Sequence, residues 1–304
     1  MEILFISAGD APDYQCDMLF HGLRTLFGPQ AVDVGRIAHM YRADYPDGSP
    51  AKRGLYGRGF TLFGLLDSDD GIDRDDVAAK IARRFYDLVV FGSVRRCQAF
   101  IHDVFDHYPS DRIAFVDGED DQLIAASLLG RGLYFKRELN APGPFVAPIQ
   151  FAIPAEKITA ERQPKSKVQA YIDPRDPRTY IYDTETAYYN DYAQSLFGFT
   201  MKKAGWDCLR HYEIMANGCI PNFESLESCP AWTMMFLPKF ELIEARNALL
   251  QRGPDFFTQS VGQEAWERLY ARVQAILHRH LTTAALATYV IDTVRRGDAR
   301  TPML

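Results

Sequence analysis

Lys202, Lys203, Arg210 and Glu213 fall within one short stretch, SLFGFTMKKAGWDCLRHYEIMANGCIPNF at residues 195–223. Two ammonium groups just before a helix start can hold a phosphate, because the first N–H groups of a helix are unpaired and its dipole adds positive potential there. A carboxylate further along the same helix can accept hydrogen bonds from the hydroxyls of a ribose. Phosphate-binding cations and a sugar-binding acid together describe a nucleotide or nucleotide-sugar pocket. The same spacing also fits a solvated helix face carrying an Arg210–Glu213 ion pair at i,i+3, worth about 0.2–0.5 kcal/mol.

The surrounding residues dictate the elements that position these groups. Leu196-Phe197-Gly198-Phe199-Thr200 and Cys219-Ile220-Pro221-Asn222-Phe223 are short apolar runs between breakers and read as strands. Gly205 and Trp206-Asp207 suit a helix start, and Asn217-Gly218 suits its end. On that helix Cys208, Leu209, Tyr212, Met215 and Ala216 share one side, while Arg210, Glu213 and Asn217 share the other. One face packs, and the opposite face presents a cation, a carboxylate and an amide outward.

Two acidic groups lie elsewhere. Asp117-Gly118-Glu119-Asp120-Asp121 is the densest. Its hard oxygens suit a divalent cation, its position suits a general base, and its composition equally suits the first turn of a helix over residues 121–129. Asp10, Asp13, Asp17 and His21 line the first loop and helix, the last three at four-residue intervals on one helix face. A histidine paired with a carboxylate makes a base for a hydroxyl, whereas capping and a surface ion pair would give the same pattern. Arg95-Arg96 can bind an anion. His278 and His280, two apart on a helix, point in different directions. No GxSxG, HExxH or Walker A pattern is present.

The 195–223 segment resembles the donor-binding motif of GT-B glycosyltransferases, above all the exostosin-type pattern of an arginine, an acid three residues on, and a small-residue run ending in GCIP. Here these are Arg210, Glu213 and Met215-Ala216-Asn217-Gly218-Cys219-Ile220-Pro221. The resemblance implies two Rossmann-like domains with a cleft between them and a helical C-terminus whose last helix crosses back to the first domain. It implies a donor set of Thr200, Lys202, Lys203, Trp206, Arg210 and Glu213, with Glu213 on the ribose and the cations on the diphosphate. The co-substrate is then a nucleotide-diphosphate sugar, with a divalent metal not favoured. The acidic loop resembles the metal-holding motif of GT-A enzymes. Asp10, His21, Asp117 and Glu119 are the candidate acceptor-side catalytic residues. The second acid of many retaining GT-B enzymes falls at Gly205, so inversion is preferred. A nucleotide-binding or partner-docking module of the same fold, without transferase activity, is the alternative. The acceptor stays open among a glycan, lipid, small molecule, protein or modified nucleic acid.

The rest of the chain accommodates this reading. Short apolar strands alternate with amphipathic helices through the first half, which implies a mostly parallel α/β sheet covered on both faces. The Asp10, Ser93 and Asp117 loops all fall at strand ends, where such sheets collect ligands. Residues 142–166 read as a junction, which divides the chain into an acceptor-side unit, 1–158, and a donor-side unit, 159–304. The long connection over residues 41–73, including Tyr56-Gly57-Arg58-Gly59, shows no recognisable element. A net charge of −6 with no basic block disfavours a sequence-independent grip on nucleic acid. Five scattered cysteines argue for a reducing compartment rather than a disulfide framework. Met1-Glu2-Ile3 opens directly on a strand, and no apolar run reaches ~18 residues, so a soluble cytoplasmic protein is expected.

Overall fold

The computed structural model describes residues 1–44, 60–297 and 299. Tyr56-Gly57-Arg58-Gly59 lies outside the described residues. The fold is α/β, with two parallel sheets and a helical C-terminal part.

The larger sheet is built from β1 (Ile3–Ile6), β2 (Ala31–Val34), β3 (Leu88–Phe91), β4 (Ile113–Asp117), β5 (Leu133–Lys136) and β6 (Val146–Pro148), in the order β2-β1-β3-β4-β5-β6. All neighbouring pairs are parallel. Their residues alternate between two cores, as the two-residue period of a strand requires. Ile3, Phe5, Leu88, Val90, Ala114 and Val116 join one apolar cluster, and Leu4, Ile6, Val89, Phe91, Ile113 and Phe115 join the other. Pro148 sits in the edge strand, where its missing N–H costs no ladder bond. Helices α1 (Tyr14–Phe27), α2 (Val77–Ala82) and α3 (Ile101–His107) cover the faces.

The smaller sheet holds β7 (Lys167–Gln169), β8 (Ser195–Met201) and β9 (Ile220–Glu224) in the order β7-β8-β9, again parallel. Helix α4 (Glu185–Ala193) precedes β8, and α5 (Leu209–Ala216) joins β8 to β9. Then come α6 (Lys239–Arg252), α7 (Ser260–His280) and α8 (Thr283–Arg296). Trp266 of α7 buries its ring beneath this sheet and donates its indole N–H to the Leu196 carbonyl at 3.0 Å.

Helix α8 packs along α1. The contact is close enough that a Cβ on Gly22 would lie 2.0 Å from the Thr283 carbonyl oxygen, so only glycine lets the two backbones meet there. Tyr289 of α8 also donates to the Pro148 carbonyl at 2.8 Å. Two sequence expectations fail locally. Residues 121–129 form only a 3-10 turn at Ala126–Leu128, because Lys136 and Arg95 draw Asp121 toward the strand ends. Helix α5 begins at Leu209, later than Gly205-Trp206 suggested, because Asp207 is tied elsewhere. No helix among the described residues is long and apolar enough to cross a membrane.

Candidate functional site

The strand order reverses between β1 and β3: β2 lies on one side of β1, while β3 to β6 run out on the other. Doubly wound sheets hold ligands at that point, beyond the carboxyl ends of the strands. A polar cavity of about 200 Å³ opens there, lined by the loop after β1 (Ser7 to Asp13), the first turn of α1 (Cys16, Asp17), Ile37, Ser93 and Arg96.

Asp10 is exposed on this wall and makes no hydrogen bond or ion pair to a described residue. Asp13 caps α1: its carboxylate accepts from Cys16 N at 3.3 Å, and its own N–H donates to Asp17 at 3.1 Å. The Asp17 carboxylate is 1 % exposed and lies 2.7 Å from His39 Nε2. Burial pushes the Asp17 carboxyl up to about 6, and the hydrogen bond from His39 only partly offsets this. A histidine is therefore paired with a carboxylate on α1, as the sequence suggested, but it is His39 and not His21. His21, 4 % exposed, does not line the cavity: Nδ1 lies 2.9 Å from Thr283 Oγ1 of α8 and Nε2 lies 3.0 Å from Glu156 in the turn Ala155–Lys157, so both nitrogens serve packing contacts.

The acidic loop after β4 is internally neutralised. Asp117 is fully buried, accepts from Lys136 Nζ at 2.9 Å and from Glu119 N at 3.1 Å, and is also bonded by Tyr134. Its oxygens are engaged on every side, which corrects the expectation that it acts as a base. Glu119 holds Arg96 at 2.7 Å, and Arg96 reaches Asp13 at 3.2 Å. Arg95 lies 3.6 Å from both Asp117 and Asp121. The two arginines thus answer carboxylates already present instead of standing ready for an anion. Arg137 binds Asp120, Glu138 and the Gly118 and Asp207 carbonyls, joining this loop to the start of α5. Lys136, Arg137 and Glu138 escaped the sequence reading, although three charged residues closing an apolar strand are a legible signal.

Around α5 the structure rearranges the expected donor set. Glu213 is 5 % exposed, so the face read as outward is covered, by α4. Its carboxylate accepts from Tyr188 OH at 2.7 Å on one oxygen and from Thr61 Oγ1 on the other, while Tyr189 bonds Thr61 in turn. Burial raises the Glu213 pKa, against the pull of the Thr61 and Tyr188 hydroxyls. Arg210 and Glu213 do not form the i,i+3 ion pair. Arg210 donates Nη2 to Tyr180 OH at 2.7 Å and lies over that ring, but its Nε and Nη1 are buried without a partner. A guanidinium with buried, unanswered N–H groups is costly unless an anion completes it. Five tyrosines between residues 180 and 192 mark this covering segment in the sequence.

The remaining members serve the frame. Thr200 is buried and lies 2.9 Å from His211 Nδ1, while His211 Nε2 donates to the Trp206 carbonyl at 2.9 Å. Burial lowers the His211 pKa to about 3, so the ring is neutral and its tautomer fixed. Trp206 carries Lys202 over its ring at 5.3 Å. Lys203 donates to the Pro174 carbonyl at 2.5 Å. The start of α5 is not open to a phosphate as expected. Glu138 accepts from Asp207 N at 3.1 Å, and Gly205 lies so close that a Cβ there would stand 2.6 Å from Glu138 Oε1 and 2.7 Å from Asp120 Oδ1. Protein carboxylates already take the place of an anion at that helix end.

No protein-family model matches the chain, and none of the curated proteins matches it. Among solved structures, one described as an alpha-glucosyltransferase in complex with UDP and a 13-mer DNA containing a central A:G mismatch superposes with a TM-score of 0.46 at 11% identity, over 96% of this chain and 98% of that chain.

Proposed function

We propose that this protein is a glycosyltransferase that moves a sugar from a nucleotide-diphosphate donor to an acceptor hydroxyl. The observation that carries this reading is the Arg210 guanidinium, buried with two unanswered N–H groups one turn before a carboxylate that already holds two hydroxyls. The diphosphate answers the guanidinium, and the ribose diol takes the hydroxyl positions on Glu213 now filled by Thr61 and Tyr188. As the bond from the sugar carbon to the diphosphate breaks, Arg210 stabilises the charge that develops on the leaving group, which needs no obligatory metal. The acceptor oxygen bonds to that carbon, and its proton passes to Asp10, the free carboxylate of the polar cavity. Gly205 supplies no second acid, which supports a single displacement with inversion.

The test is donor turnover with water as acceptor across a panel of nucleotide sugars. Slow release of free sugar, reduced at least tenfold in Asp10→Asn, is expected. No release with any donor would count against transfer. Equal release by Asp10→Asn would remove Asp10 from the reaction.

A further inference from the structure

We infer that the cavity at the β1/β3 switch point receives an uncharged or amine-bearing sugar, and that it rejects phosphorylated or otherwise anionic acceptors. This rests on the transferase reading above and names the acceptor class that reading leaves open.

The first ground is hydrogen bonding. In doubly wound sheets a helix start at the switch point holds phosphate through unpaired N–H groups. Here Cys16 N is taken by the Asp13 carboxylate and Asp13 N by the Asp17 carboxylate. The positive end of α1 is thus answered by the chain's own acids.

The second ground is charge. Asp10, Asp13 and Asp17 line the cavity with Arg96 as the cation among the lining residues, and Arg96 is already shared between Asp13 at 3.2 Å and Glu119 at 2.7 Å. Asp10 is left over. An anion entering here would meet a free carboxylate and no free cation among the lining residues, and that repulsion is strongest where water is displaced. A hydroxyl or an ammonium group would instead find an acceptor.

The third ground is size. The volume of about 200 Å³ is far more than one water needs and leaves room for a sugar ring. Ser7 and Ser93 are among the lining residues, and the Ser7 hydroxyl, which donates to the Gly35 carbonyl at 3.0 Å, keeps acceptor capacity for a polyol.

The experiment is ligand-observed NMR on the full chain without donor, using methyl glucoside, glucosamine and glucose 6-phosphate. Methyl glucoside and glucosamine are expected to bind, with glucose 6-phosphate at least tenfold weaker. In Asp10→Lys, a change on an exposed loop that should leave folding intact, the order should reverse in favour of the phosphate. Equal or tighter phosphate binding to the wild type, no binding of either uncharged or amino sugar, or an unchanged order in Asp10→Lys would each overturn the inference. A parallel titration with nucleoside diphosphates separates the two failures: sugars that bind as expected beside diphosphates that do not would overturn the transferase reading and leave the pocket's selectivity standing.

Discussion

Glu213 and Thr61, separated by 152 positions in the chain, share a buried hydrogen bond, with the Thr61 hydroxyl donating to the Glu213 carboxylate. A threonine from the first half of the chain thus stands where the transferase reading puts a ribose hydroxyl. Tyr188 fills the second position at 2.7 Å.

This juxtaposition sets a competition. Thr61→Val removes the internal hydroxyl, so a diol need no longer displace it from Glu213. Donor affinity, read by calorimetry, is expected to rise about three- to tenfold, within the ~0.5–1.5 kcal/mol of one hydrogen bond. A weaker donor in this variant would mean that Thr61 supports the site and does not compete for it.

Removing His21 tests its reassignment from chemistry to packing. His21→Ala breaks the buried link to Thr283 and Glu156. It should cost about 1–3 kcal/mol in urea unfolding while nucleoside-diphosphate affinity is unchanged. A stable variant that fails in turnover would restore His21 as a catalytic residue.

Two buried acids contribute to the pH dependence. Burial pushes both Asp17 and Asp207 up to about 6, with His39 and Arg137 respectively opposing the shift. Between the ordinary carboxylate range and that value the folded chain binds protons that the unfolded chain does not. Each acid therefore lowers stability as pH rises from about 4 to 6, and the loss is complete above that, on the order of 3 kcal/mol apiece. His211, lowered to about 3, works in the opposite sense below the ordinary histidine range, so the acids are read by difference: Asp207→Asn should gain urea stability relative to the wild type as pH rises from 5 to 7. A difference between wild type and variant that stays constant from pH 5 to pH 7 would contradict the Asp207 shift.

Gly205 is held by contact. A Cβ there would meet Glu138 Oε1 at 2.6 Å, and Glu138 is itself buried and tied to Arg137 and Asp207 N. Gly205→Ala should lower stability by about 1–3 kcal/mol, the range for overpacking. An unchanged melting temperature would show that Glu138 and Asp120 move aside freely.

What the sequence revealed follows from how local each signal is. The apolar runs of β8 and β9 and the strand–helix alternation of the first half depend on neighbours along the chain, and they lie where the sequence placed them. Asp10 was legible because a loop after a buried strand must lie at a strand end. The partner of Asp17 was not, because His39 arrives from beyond β2. Nor was the cover over Glu213 visible: a helical wheel shows which side is polar but not that α4 and Thr61 fold over it. The helix start after Lys203 misled for the same reason, since Glu138 and Asp120 reach it from the other sheet.

The central claim is that Arg210 awaits a diphosphate, and calorimetric titration of nucleoside diphosphates into wild type and Arg210→Gln tests it most directly. The wild type should bind at least one of them, and the variant about 10- to 100-fold more weakly, the loss of ~1.5–3 kcal/mol for a hydrogen bond to a charged group. The unliganded variant should be at least as stable, because it no longer buries a charged guanidinium with two unpartnered N–H groups. Wild type that binds no nucleoside diphosphate, or a variant that binds as tightly, would contradict the account.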